Sequence, residues 1–285
     1  MSRRLAGHAR RALGAGGAAL IAGALVAAGC VTYSTRQATA QAIDRVLAGD
    51  QRSEAERARD RYRHPKATLL FFGIRPEMSV LEVWPEPGWY TEVLAPLLRD
   101  KGHYYAGVIE ADPSSPYITR RLEAFRAKLA SRPELYGHST VVTFKLDGSD
   151  VVPPGSLDMV VTFRNIHNWM ARDSAAQAFA SMYKALKPGG VLGVAEHRGN
   201  PALAQDPKAK SGYVNEDYAI KLIEAQGFTL VAKSEVNANP KDTKDYEQGV
   251  WTLPPTYRLG DKDRDRYAAI GESDRFTLKF VKPVK

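Results

Sequence analysis

Five short polar clusters hold the side chains of this chain that are able to do chemistry. Glu82 lies in an apolar run, Val80-Leu81-Glu82-Val83, that breaks at Trp84-Pro85-Glu86-Pro87-Gly88 and resumes at Trp89-Tyr90. Glu110 and Asp112 follow the run Tyr104 to Ile109, and Asp147 follows Thr140 to Leu146. Arg164, Asn165 and His167 follow Leu157 to Phe163, and Glu196, His197 and Arg198 follow Val191 to Ala195. An ionised carboxylate offers two acceptor oxygens to a ligand's hydroxyls or amines, and histidine exchanges protons near neutral pH. His167 is therefore the candidate base, with Arg164 and Asn165 placed to orient a substrate. Glu196 and His197 are the next substrate contacts, and Tyr213 and Asn215 are expected on the opposite wall. The 6 histidines are scattered without paired ligand spacing, so no metal is expected.

The clusters share one position: each ends an apolar run. Tyr90, Val93, Leu94, Leu97 and Leu98 form a helical stripe after the first run, with the helix starting at Trp89 and stopping at Asp100-Lys101-Gly102. A second helix is predicted from Pro116 to Leu129 and a third from an Asp173 cap to Leu186, with Lys187-Pro188-Gly189-Gly190 as a turn. A last helix spans about Glu216 to Gln226, followed by strands at Phe228 to Val236 and Arg275 to Val281. This alternation predicts an α/β fold: a Rossmann-like, seven-stranded, mostly parallel sheet with helices on both faces. Ligands of such sheets sit beyond the carboxyl ends of the strands, where all five clusters fall. The turn at Trp84 to Gly88 also leads into a helix N-terminus, which offers free N–H groups. Residues 237–274 show no clear periodicity, and a loop of that length is more often functional or self-packed than idle. If the sixth strand runs parallel to the others, this insertion starts on the ligand edge and folds over the pocket.

Composition sets wider bounds. With 285 residues, 44% hydrophobic and 25% charged, the chain has an ordinary globular makeup. The net charge of +8 includes Arg3, Arg4, Arg10 and Arg11 in an acid-free leader, and the remainder carries only +4. No basic cluster interleaved with aromatics is present, so nucleic acid is not an expected partner. Residues 1–29 have the basic start and Ala/Gly-rich apolar run of an export signal. Cys30, the 1 cysteine, stands directly after Ala27-Ala28-Gly29 as in a lipoprotein cleavage box. The expectation is a periplasmic protein held at the membrane by an N-terminal lipid or anchor. Residues 30–66 then form a tether and two short N-terminal helices, and 67–285 the main domain.

In the order and spacing of VLEVWPEPGWYT, GVIEAD, FKLDGSD, LDMVVTFRNIHNWM and LKPGGVLGVAEHR, the chain resembles the class I S-adenosylmethionine-dependent methyltransferases, including a group of exported bacterial ones. The resemblance covers roughly Ala40 to the C-terminus. It implies S-adenosyl-L-methionine as cofactor and a small-molecule or envelope component as methyl acceptor. It also implies cofactor contacts: Glu82 at the loop or amino group, Gly88 at the methionine portion, Glu110 at the ribose hydroxyls and Asp147 at the adenine amine. Trp84, Trp89 or Tyr90 would offer a ring face or a hydroxyl near the sulfonium. Trp84, Glu86 and Pro87 stand where relatives carry glycine, which leaves open a fold that binds a ligand or partner without catalysis. Glu110, 22 residues after Gly88, also leaves open a nucleotide-dependent oxidoreductase, against which stands the lack of G-x-G-x-x-G.

Overall fold

The computed structural model describes residues 34–284; the expected export signal and Cys30 lie outside them. The main compact unit begins at Thr39. Its N-terminal part holds residues 39–47 of helix α1 (34–47), then α2 (Glu54–Arg57), α3 (Asp60–Arg63) and α4 (Pro65–Phe72). The body alternates β1 (Ser79–Val83), α5 (Thr91–Leu98), β2 (His103–Ile109), α6 (Pro116–Ser131), α7 (Pro133–Tyr136), β3 (Thr140–Phe144), β4 (Leu157–Phe163), α8 (Ile166–Ala171) and α9 (Ala175–Ala185). It closes with β5 (Leu186–His197), α10 (Glu216–Glu224), β6 (Thr229–Ser234), α11 (Arg264–Ile270) and β7 (Arg275–Val281). No described helix is long and apolar enough to cross a membrane.

The seven strands form one sheet in the order β3-β2-β1-β4-β5-β7-β6. The pairs β1–β2, β1–β4, β2–β3 and β4–β5 are parallel, and β7 runs antiparallel to both neighbours. Two antiparallel steps make β6 parallel to β5, so the 237–274 segment does leave from the ligand edge. Period-two alternation assigns the faces. In β4, Met159, Val161 and Phe163 join the core under α1, α4, α5 and α6, while Val160 joins the core under α8, α9 and α10.

Helix α5 shows how the sequence builds the site's rear wall. Val93, Leu94 and Leu98 are fully buried, each contributing on the order of 2 kcal/mol. Pro96 inside the helix removes the N–H that would bond Glu92. The orphaned Glu92 carbonyl instead accepts from Gln51 Nε2 at 3.1 Å.

Several boundaries differ from expectation. Helix α5 starts at Thr91 because Gly88, at φ +96°, closes a turn onto the Pro85 carbonyl before the helix begins. The cap of α9 is Ser174, not Asp173, which takes a left-handed φ of +55°. The predicted turn at Lys187–Gly190 is drawn into β5, whose edge there bonds the end of β7 through Gly189 and Lys282. Helix α4 was not predicted: Pro65 opens it and Leu69 and Phe72 are buried, but the run was too short to show a period. Within 237–274 the structure forms a tight helical turn at Gly249–Thr252 and helix α11.

Candidate active site

The loop after β1 is shaped by its own side chains. Trp84 adopts φ +51°, donates from Nε1 to the Phe144 carbonyl at 3.4 Å and meets Trp169 edge-on at 5.9 Å. The Arg172 guanidinium covers it at 5.3 Å. Glu86 is buried, and its carboxylate accepts from the Ile109 N–H at 3.0 Å. The backbone carbonyl of Glu86 accepts from Arg121. Burial raises the Glu86 pKa, opposed by those N–H donors and by Arg121. The carboxylate that stands at a glycine position thus stitches the β1 loop to β2. Gly88 faces away from the pocket, since a Cβ there would meet Lys128 Cδ at 3.1 Å and Phe125 at 3.2 Å.

On the ligand edge, a pocket of about 290 Å³ is walled by this loop, by the ends of β4 and β5, by α3 and by the insertion. His167 and His197 both line it. Behind His167 lies Glu196, with no exposure. Glu196 accepts from the Ile166 N–H at 2.6 Å, from the His197 N–H at 2.8 Å and from His167 Nδ1 at 3.1 Å. A carboxylate at Nδ1 assigns a proton to that nitrogen, so in the neutral ring Nε2 is the acceptor. His197 Nδ1 pairs with Ser273 Oγ at 2.5 Å. Burial, then His167, Arg275, Arg164 and Arg63, lower the His197 pKa well below its usual value, so this ring is neutral.

The floor and side of the pocket are cationic. Arg59, Arg63, Arg164 and Arg275 line it, and Glu272 sits among them, accepting from Arg59 Nε at 2.7 Å, Arg63 Nε at 3.0 Å and Arg275. Burial alone would raise the Glu272 pKa, but Arg275, Arg63 and Arg59 hold it well below the carboxylate range. Across the mouth lie Val250, Trp251, Pro254 and Pro255 of the insertion, with Trp251 edge-on to His167 at 5.9 Å and stacked by Arg258 at 4.5 Å.

The remaining expected residues are distributed unevenly. Glu82, Trp84, Tyr90, Arg164, Asn165, His167 and His197 line the pocket. Asn165 directs its amide to the Val83 carbonyl at 2.8 Å, tying β4 to β1. The Glu82 carboxyl accepts from Tyr104 at 2.7 Å and Thr91 at 3.1 Å, and the Tyr90 hydroxyl donates to the Arg63 carbonyl at 3.2 Å. Glu110 stands outside, in an open groove with Trp84, Ile109, Phe144 and Leu146, facing Lys145 at 3.4 Å. Asp147 is held by a local turn to Ser149. Tyr213 and Asn215 do not reach the pocket: the former donates to Asp242 at 2.9 Å, and the latter to the Leu203 carbonyl at 2.8 Å.

Arg59, Arg63, Arg275 and Ser273 were not singled out in the sequence, and Trp251 stood out only as a member of the insertion. Arginines on short charged helices read as solvated surface, and no local pattern ties them to the strand ends.

His167, Glu196 and His197 also approach one another closely enough to suggest a metal triad. Their wiring opposes that role, because Glu196 already accepts three N–H bonds and the adjacent guanidinium groups would repel a cation.

No family model matches the chain, and no curated protein matches it in sequence. A solved S-adenosylmethionine-dependent methyltransferase from Aquifex aeolicus superimposes with a TM-score of 0.53 at 15% identity, over 79% of this chain and 93% of that one. The fold is that of the class I methyltransferases. A methyltransferase from Methanosarcina mazei gives 0.50 at 13% identity over 76% and 98% of the two chains. The cyclase SpnF gives 0.56 at 16% identity over 83% and 86%. At such identities the methyltransferase fold is shared, and the chemistry rests on the side chains of the site.

Proposed function

We propose that this chain is an S-adenosylmethionine-dependent methyltransferase acting on a small-molecule acceptor. One observation carries the reading: a base, His167, oriented by buried Glu196, faces a covered pocket on the ligand edge of a methyltransferase fold. The cofactor matches the chemistry of the groove beside that pocket. Glu110 offers two exposed oxygens for the ribose hydroxyls, and Ile109, Phe144, Leu146 and Trp84 form an apolar slot for a base.

S-adenosylmethionine, when bound, supplies an electrophilic methyl group. The protein's part is positioning and proton removal. His167 Nε2 would accept the proton that an acceptor in the pocket gives up on methylation, a transfer that breaks the sulfur–methyl bond and leaves a neutral thioether. Glu196 steadies the imidazolium through Nδ1–H, and the proton leaves to solvent after release. Neutral His197, held by Ser273, adds a polar contact without competing for that proton. Trp251, Val250 and the Pro254-Pro255 pair exclude water from the mouth.

Titration with S-adenosylhomocysteine tests the reading. Saturable binding is expected, and Glu110→Ala is expected to weaken it at least tenfold, the loss of two hydrogen bonds to a charged group. No binding at millimolar concentration would end the proposal, and equal affinity in the variant would move the ribose elsewhere. One observation favours a second reading, a methyltransferase fold that binds without methylating: Trp84, braced by Trp169 and Arg172, stands between the groove and the pocket.

A further inference from the structure

The pocket floor carries more positive charge than its carboxylates neutralise. Arg59, Arg63, Arg164 and Arg275 share Glu272, and Arg59 also meets Glu56 at 3.8 Å, so four cations face two carboxylates, a surplus of two. Two of these arginines are nearly sealed from water yet incompletely bonded. Arg63 is 3% exposed with Nη1 unpartnered, and Arg275 is 4% exposed with Nε unpartnered. Buried donors left this way are costly, and a ligand that accepts from them removes the cost. The Arg164 guanidinium makes no hydrogen bond or ion pair among the described residues, while its backbone N–H donates to the Ala195 carbonyl at 2.7 Å and its φ is a left-handed +61°. Between Arg63, Arg164 and Arg275 lies a void of about 10 Å³ against Tyr90, Phe163 and Ala195, the size of one oxygen-bearing group. Burial and the neighbouring Arg275 lower the Arg164 pKa to about 10, a sign of mutual repulsion that an anion would relieve.

The location separates this floor from the cofactor's groove. Arg164 ends β4 and Arg275 begins β7, whereas Glu110 follows β2. Two strand spacings lie between β2 and β4 and four between β2 and β7, roughly 10 and 19 Å. We infer that the Arg63–Arg164–Arg275 floor binds a doubly charged oxyanion, the phosphoryl group of a phosphate or phosphomonoester. On the methyltransferase reading, on which this assignment of role rests, that group anchors the acceptor with its remainder extending toward His167. Guanidinium forks match the oxygens of such a group, and two negative charges answer the surplus better than one.

Inorganic phosphate is the probe. Calorimetric titration is expected to show saturable binding that acetate does not reproduce at equal concentration. Arg164→Gln, which removes no internal bond, is expected to weaken it at least tenfold, with Arg164→Lys intermediate and unfolding midpoints unchanged. Glycerol phosphate against phosphatidic acid vesicles tells a soluble ester from a lipid headgroup. Saturating S-adenosylhomocysteine is expected to leave phosphate affinity unaltered. Absence of phosphate binding at 10-fold excess over millimolar protein, or an unaffected Arg164→Gln chain, would overturn the site. Competition between the two ligands would overturn the acceptor role and give the arginines to the cofactor's carboxylate. Phosphate binding without any S-adenosylhomocysteine binding would keep the oxyanion site and remove methyl transfer.

Discussion

The role of His167 depends on which ring nitrogen is bare. The Glu196 carboxylate at Nδ1 fixes the tautomer, and nitrogen NMR is expected to show a protonated Nδ1 and an unprotonated Nε2. An Nε2–H tautomer would remove the base from the mechanism. His167→Gln keeps most of the side-chain volume but cannot accept the proton, so turnover of any accepted substrate is expected to fall about 10²- to 10⁴-fold. Affinity for S-adenosylhomocysteine is expected to hold, because His167 lies in the first turn of α8, outside the residues of the Glu110 groove. A matching loss of binding would assign His167 to the cofactor instead. Residues at this scale were legible in the sequence where they end strands: His167, His197, Arg164 and Glu82 come together because a parallel sheet aligns its carboxyl ends. Tyr213 and Asn215 were misleading, since both lie in a loop whose path is set by distant partners, Asp242 and the Leu203 carbonyl.

Among the elements, the insertion decides how far the pocket is closed. Its turn at Gly249–Thr252 is pinned where the Val250 N–H donates to the Ser211 carbonyl at 2.8 Å. Gly249 has φ +56°, and a Cβ there would fall onto the Ser211 backbone. Gly249→Ala therefore has neither the conformation nor the space, and is expected to lift Trp251 from the mouth at a cost of roughly 1–3 kcal/mol. Proteolysis within 237–274 is expected to accelerate while the sheet stays protected from hydrogen exchange. Unchanged cleavage would show that the insertion does not act as a cover. The sequence marked this segment by its length and by the direction of β6, yet not its internal structure. Short turns built on single glycines and cross-chain carbonyls leave no period to read. Helix α4 escaped for a related reason: its eight residues make barely two turns, too few for a period to show, although Leu69 and Phe72 are buried.

At the scale of the whole sheet, the central strands β1 and β4 are buried on both faces while the edge strands β3 and β6 are half exposed, and this makes the central carboxyl of Glu82 a measure of the fold. Glu82 shares the β1 face with Val80, beneath α5, and is 3% exposed. Burial raises its pKa from 4.5 to about 8, only partly opposed by the hydroxyls of Tyr104 and Thr91. The native state therefore holds Glu82 protonated at neutral pH, whereas the unfolded chain ionises it above about pH 4.5. Between those two values the native state binds more protons, so stability falls as pH rises. The contribution is fully present below the unfolded pKa and fades through the folded one, by about 1.4 kcal/mol per pH unit, on the order of 3 kcal/mol by pH 7. Burial displaces Glu86, Glu92 and Asp242 in the same direction, whereas Glu272 is displaced oppositely by its arginines. Glu82→Gln keeps the shape and an acceptor for Tyr104 but cannot ionise. Its unfolding midpoint is expected to decline less than that of the unmodified chain between pH 5 and pH 8, with the gap widening steadily across that window. Parallel curves would mean that Glu82 is charged in the native state, and that the loop it supports carries a negative charge beneath the pocket rather than a neutral hydrogen-bonding group.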